Sequence, residues 1–151
     1  MIFTEKLAAL CALWAFGLGS KEDYCKELDR LFLENPDDDF LLELENLGGD
    51  CAAAWACISP LIQTGINIDK FGKELFHCLE KYYSENCDSR NSLEEFGKMC
   101  FELWKSLPAN IDQKDPFHTL SYADEPLSWG DEEQSRELFR KMFEYYREFG
   151  L

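Results

Sequence analysis

The sequence predicts an all-α fold, and three observations carry that prediction. Apolar residues recur at i, i+3, i+4 and i+7 spacing through most of the chain. Valine is absent, and Leu, Ala, Glu, Phe and Lys dominate, so residues that favour strands are scarce. Candidate caps and stops (Ser, Thr, Asp, Gly and Pro) separate the periodic runs. The 151 residues suit one domain, 1–151, built as a bundle of six to seven helices with one long aromatic loop. A chain of this size buries roughly 70% of its unfolded surface, so its core requires neither disulfide nor metal.

Thr4 is placed to cap a first helix that runs to the Gly17–Gly19 break, with Leu7, Leu10, Cys11, Trp14 and Leu18 as its inner stripe. The apolar run Leu7–Gly19 has the length of a signal-peptide core. Glu5 beside Lys6 and the lack of an A-x-A pattern after it favour a buried helix instead. The run is too short to span a membrane. Ser20 caps the second helix, which carries Tyr24, Leu28, Leu31 and Phe32 and ends at Asn35–Pro36. Pro36 and the run Asp37, Asp38, Asp39 predict a third helix start, because carboxylates suit the positive end of the helix dipole. Gly48–Gly49 stops that helix. Asp50 caps a small-residue helix, 51–59, which Pro60 ends or kinks. Asp69 is the expected cap of a helix reaching Asn86. A capping box of Ser92 and Glu95 precedes a helix that stops before Pro108. The last helix is expected from Asp131 to Phe149.

Between these last two lies Pro108–Gly130, which has no helical period. Three prolines interrupt it, and Phe117, Tyr122 and Trp129 punctuate it. A long ordered loop is either a functional segment or an aromatic-pinned strap over the bundle.

Few residues carry chemistry. The seven cysteines are odd in number, lack a C-x-x-C pair and sit mostly in apolar helical patterns, which points to reduced thiols in the cytoplasm and no metal centre. His77 lies inside a helix between Phe76 and Cys78, and His118 lies in the loop near Asp115. The run Asp37–Asp39 does not converge on one point, so it reads as helix-start chemistry before cation binding. No phosphate-binding loop, metalloprotease motif or nucleophile elbow is present, and no cofactor is expected.

The charge is the informative feature. Thirty acids against fifteen bases leave a formal net charge of -15, which repels nucleic acid and anionic membranes and attracts a cationic partner. The acids cluster in two stretches. One holds Asp37, Asp38, Asp39, Glu43, Glu45 and Asp50. The other holds Asp112, Asp115, Asp124, Glu125, Asp131, Glu132 and Glu133. Such clusters either keep the protein soluble or dock a basic protein. In the second reading Phe117, Tyr122 and Trp129 supply anchors.

The stretches NPDDDFLLELENLGGD and YADEPLSWGDEEQ look like the acidic-aromatic segments of bacterial immunity proteins, which neutralise the toxins of contact-dependent inhibition and other polymorphic toxin systems. The resemblance is one of type over the whole chain. It implies a non-enzymatic protein that covers a basic toxin domain, commonly the active site of a nuclease. A helical adaptor or regulatory binding module is the alternative, and a small enzyme using carboxylates is a third.

Overall fold

The computed structural model describes residues 1–148, and every regular element among them is helical. The α-helices are α1 (Glu5–Ala15), α2 (Lys21–Glu34), α3 (Asp39–Leu47), α4 (Cys51–Ile58), α5 (Ile62–Gly65), α6 (Ile68–Asn86), α7 (Arg90–Ser106) and α8 (Glu132–Glu148). Three 3-10 turns, Ser59–Leu61, Phe117–Ser121 and Glu125–Trp129, complete them. Among the described residues no helix is long and apolar enough to cross a membrane.

Eight helices replace the expected six to seven. The addition is the single turn α5, which continues from a 3-10 turn begun at Ser59–Pro60. Proline is tolerated there because the first residues of a helical turn have no internal partner for an N–H.

Local chemistry sets the boundaries. Thr4 accepts a hydrogen bond from the Leu7 amide, Ser20 from Asp23, and Asp50 from Ala53. Three starts differ from expectation. α3 begins at Asp39 with Asp38 as cap, because Asp38 reaches the Leu41 amide and leaves Pro36 and Asp37 in the preceding turn. Asn67, not Asp69, caps α6. Ser89 and Ser92 form the reciprocal capping box of α7, so that helix starts earlier than a Ser92–Glu95 pair would place it. Asp131 caps α8 by accepting from the Gln134 amide. Phe149, expected on the inner face of the last helix, lies outside the described residues.

One core joins all the longer helices. At its centre is α1, with Leu7, Ala8, Ala9, Cys11, Ala12 and Leu13 all buried, packed against α6, α4 and α2. α8 packs on α6, and the 117–121 turn packs on α7. An aromatic cluster fills the far side. Phe96 meets Phe139 at 5.1 Å between ring centroids, Tyr83 meets Phe143 at 5.3 Å, and Phe76 meets Phe117 at 5.3 Å. Among the described residues Glu27 is the carboxylate-bearing residue that is buried as a whole. Arg30 grips it at 2.6 Å and Lys6 of α1 approaches to 3.8 Å, so its charge is compensated.

Tyr146 of α8 lies against Gly72 of α6 so closely that a side chain at Gly72 would collide with the phenol. The phenol oxygen is buried without a hydrogen bond. Gly72→Ala is therefore expected to destabilise the protein by about 1–3 kcal/mol through overpacking. Tyr146→Phe should leave stability unchanged or raised, because it removes a buried unpaired hydroxyl. Urea unfolding of the two single variants and the double variant measures both effects.

The thiols sort by burial. Cys11, Cys87 and Cys100 are buried. Burial pushes the Cys11 thiol up to about 12 and the Cys87 thiol to about 11, and raises the Cys100 thiol well above its ordinary value. Because the thiolate is the reactive form, iodoacetamide at pH 8 should label Cys25, Cys51 and Cys57 in the native protein. Cys11, Cys87 and Cys100 should react only after denaturation, as read by peptide mass spectrometry.

Candidate partner-binding surface

The segment joining α7 to α8 folds against both helices. The Pro108 carbonyl accepts from the amides of Ile111 and Asp112, and the Lys114 amide donates to Ile111. The Trp104 indole N–H of α7 donates to the Asp112 carbonyl at 2.7 Å. Phe117, Leu120, Ala123 and Pro126 recur every third residue and all four are buried. Three residues per turn is the 3-10 period. The segment is thus a series of tight turns, not the loop without period that a 3.6-residue scan suggests. That spacing of three was the signal available in the sequence.

The last turn displays Trp129. Its backbone is held on several sides. The Leu127 amide donates to the Asp124 carbonyl at 3.0 Å, the Gly130 amide to Leu127 at 3.1 Å and the Asp131 amide to Pro126 at 2.9 Å. The Arg90 guanidinium of α7 donates to the Leu127 carbonyl at 2.9 Å. Gly130 has φ +83°, a left-handed conformation that glycine adopts without strain. Leu127 is buried beneath the turn, while the Trp129 side chain stays 62% exposed. Arg90, and Gly97 of α7 against which Asp124 packs, are the positioning residues that sequence reasoning missed. Each acts across a sequence separation of more than twenty-five residues and leaves no local pattern.

The acidic and aromatic residues of this segment separate into distinct roles. Phe117 is fully buried, stacked near Phe71 at 6.0 Å, so it is a core residue and cannot anchor a partner in the folded protein. Tyr122 is half-buried with its ring 5.4 Å from His118, and with Asp115, Thr119 and Lys141 it lines a shallow cleft of about 240 Å³. Asp124 is half-buried and packs on α7 at Gly97, where any side chain would collide with it. Burial raises its pKa. Asp112 is half-buried, and one of its carboxylate oxygens is buried without a hydrogen bond. Asp131 caps α8, and Glu132 is paired with Arg136 at 2.8 Å. Asp115, Glu125 and Glu133 are exposed. Trp129, with Glu125 and Glu133 four residues to either side in sequence, and Asp115 are therefore the accessible remainder of the acidic-aromatic segment.

The other acidic stretch belongs to a different part of the bundle. α3 packs on α2 and α4, whereas the 125–129 turn packs on α8. Asp37 and Asp39 are exposed. Asp38 is committed to structure: it accepts from the Leu41 and Ile2 amides and pairs with the N-terminal ammonium at 3.5 Å. The Leu41 amide leads the interactions that hold its carboxyl below the ordinary range. Among the described residues no group of three His, Cys, Asp or Glu side chains is placed to hold a metal.

Burial separates the aromatics by stability. Trp129→Ala should change the unfolding free energy by less than about 0.5 kcal/mol, as is usual at an exposed site. Phe117→Ala should cost about 3–5 kcal/mol, the usual loss for a buried ring. Thermal unfolding of the two variants tests this. No family model, curated protein or solved structure matches the chain, so the role of this surface is read from its own geometry and charge.

Proposed function

We propose that this protein is an immunity protein that acts in the cytoplasm. It binds a cognate basic toxin domain, a nuclease by preference, and neutralises it by steric and electrostatic blocking without a cofactor or catalysis of its own. The observation that supports this reading most is Trp129, a large ring presented to solvent on a turn fixed by backbone hydrogen bonds, with the exposed Glu125 and Glu133 four residues to either side in sequence. A rigid exposed Trp loses little side-chain entropy on binding and suits a desolvated pocket on a partner. The net charge of -15 supplies the long-range term. It draws in a protein whose surface is electropositive, as a nucleic acid-cleaving site must be, and disfavours anionic competitors.

The test uses any basic toxin domain encoded by a gene adjacent to this one. Co-expression of the protein with that domain should rescue growth of a sensitive host. In binding kinetics, Glu125→Lys/Glu133→Lys should lower the on-rate, and the difference should shrink as salt shortens the reach of the field to about 8 Å. Trp129→Ala should instead raise the off-rate by about 30-fold, the size of a hot-spot truncation of ~2 kcal/mol. Unaltered toxicity with the protein present would refute the immunity role. Tight binding to a basic partner that has no toxic activity would assign the same surface to an adaptor.

A further inference from the structure

The hairpin of α2 and α3 carries a second surface with a different character. Residues 35–38 turn the chain back, so that α3 packs on α2. The exposed Asp29 of α2 and the half-buried Glu45 of α3 bring their carboxyls within hydrogen-bond reach of each other. Leu33 stands one helical turn beyond Asp29, and Leu42 one turn before Glu45. In an antiparallel hairpin both displacements run toward the connecting turn, which puts the two leucines on the same side of the carboxyl pair. Leu33 is 80% exposed and Leu42 is 45% exposed, and neither packs on the core. They are two of only five large hydrophobic side chains so exposed among the described residues.

The surroundings are acidic. From Asp29 to Asp50 there are eight carboxylates and one base, Arg30, which is engaged with Glu27 and Glu34; the other cations of α2 are Lys26, one turn before Asp29, and Lys21, whose ammonium reaches Gly49 at the end of α3. Two leucines standing clear of the core gain nothing in the free protein, and two adjoining carboxyls repel once both are ionised. Both features are relieved by one kind of contact.

We propose that the α2–α3 hairpin is a docking surface for a basic amphipathic segment of a partner protein, whose apolar side chains cover Leu33 and Leu42 and whose Arg or Lys enters between Asp29 and Glu45. The surface lies apart from Trp129 and does not depend on the toxin-binding role. Protonation of the pair supports the assignment. Burial, followed by the hydrogen bond and charge of Asp29, pushes Glu45 up to about 7. From α2, the Tyr24 phenol also faces Glu45, and from α4 the Cys57 thiol is directed to Glu43. The proton held by the pair near neutrality is the place-holder that an incoming cation replaces. Binding then favours the ionised pair, so affinity rises as pH increases through 7. Because Glu45 is about 90% protonated one unit below its pKa and about 10% one unit above, the rise from pH 6 to pH 8 approaches tenfold.

The probe is a synthetic helical peptide of Leu and Arg in amphipathic order, titrated calorimetrically into the full-length protein, with hydrogen exchange to locate it. An acidic protein attracts any cationic peptide, so charge-matched variants decide the outcome. Leu33→Ser/Leu42→Ser keeps the charge and should weaken binding about tenfold at unchanged melting temperature. Asp29→Asn/Glu45→Gln should weaken it more than Glu95→Gln/Glu102→Gln on α7, and should abolish the pH dependence. Trp129→Ala should leave it unaffected, and exchange protection should fall on residues 29–46. Equal losses from the α7 and hairpin charge variants would overturn the proposal. So would insensitivity to Leu33→Ser/Leu42→Ser, or protection confined to residues 124–133. None of these results bears on toxin neutralisation.

Discussion

α1 is buried on most of its sides, with Lys6, Leu10 and Trp14 as its less covered stripe, and the placement of the other long helices follows from the need to cover it. A helix that is apolar around most of its circumference has no stable exposure to water on those sides and must be enclosed there. Ala8, Ala9 and Ala12 keep its girth small where α6, α4 and α2 close in, while Leu7, Cys11 and Leu13 fill the space between them. Ala54 on α4 is buried on the same principle. Among the described residues the one buried charged residue is Glu27, and it enters compensated by Arg30 of its own helix and Lys6 of α1. Removing both cations would leave a buried carboxylate uncompensated, which costs more than an exposed ion pair contributes.

The second half of the chain extends this core with rings. Phe96, Phe139, Phe143 and Tyr83 interlock between α6, α7 and α8, mostly edge-on or tilted, the geometry favoured by the ring quadrupole. Glycines allow the close approaches that the rings demand, Gly72 under Tyr146 and Gly97 under Asp124. The second of these draws the interhelical segment onto α7. With Leu127 pinned from beneath and its carbonyl held by Arg90, Trp129 has no inward place and remains in solvent. Its exposure is thus a consequence of packing elsewhere.

Acidic residues are numerous, yet they do not act alike. Asp38, Asp50 and Asp131 are occupied as caps, and Glu34, Glu94, Glu132, Glu137 and Glu144 are tied to arginines on their own helices. Such pairs are local and contribute little individually to stability. The field that reaches a partner comes from the net excess, and its short-range shape from the carboxylates without such duties, Glu125 and Glu133 near Trp129 and Asp37 and Asp39 at the α2–α3 turn. Glu45 is a further case, where burial first and then the neighbouring Asp29 carboxyl raise its pKa to about 7.

The helical class, the caps at Thr4, Ser20 and Asp50, the ends at Glu34 and Asn86 and the burial of α1 were all legible in the sequence. Each follows from interactions spanning three or four residues, and such interactions leave a local pattern. The sequence pattern placed the caps at Asp69 and Ser92, whereas Asn67 and Ser89 cap these helices, because the residue types suit either position and only the chain path chooses between them. In the segment 108–130 the sequence marked Phe117, Tyr122 and Trp129 as alike. Tertiary packing alone divided them: Phe117 went to the core beside Phe71 and Phe76, Tyr122 to a half-buried edge, and Trp129 to the surface. The division depends on contacts with residues twenty to fifty positions distant, and an aromatic side chain carries no local mark of which partner will reach it first.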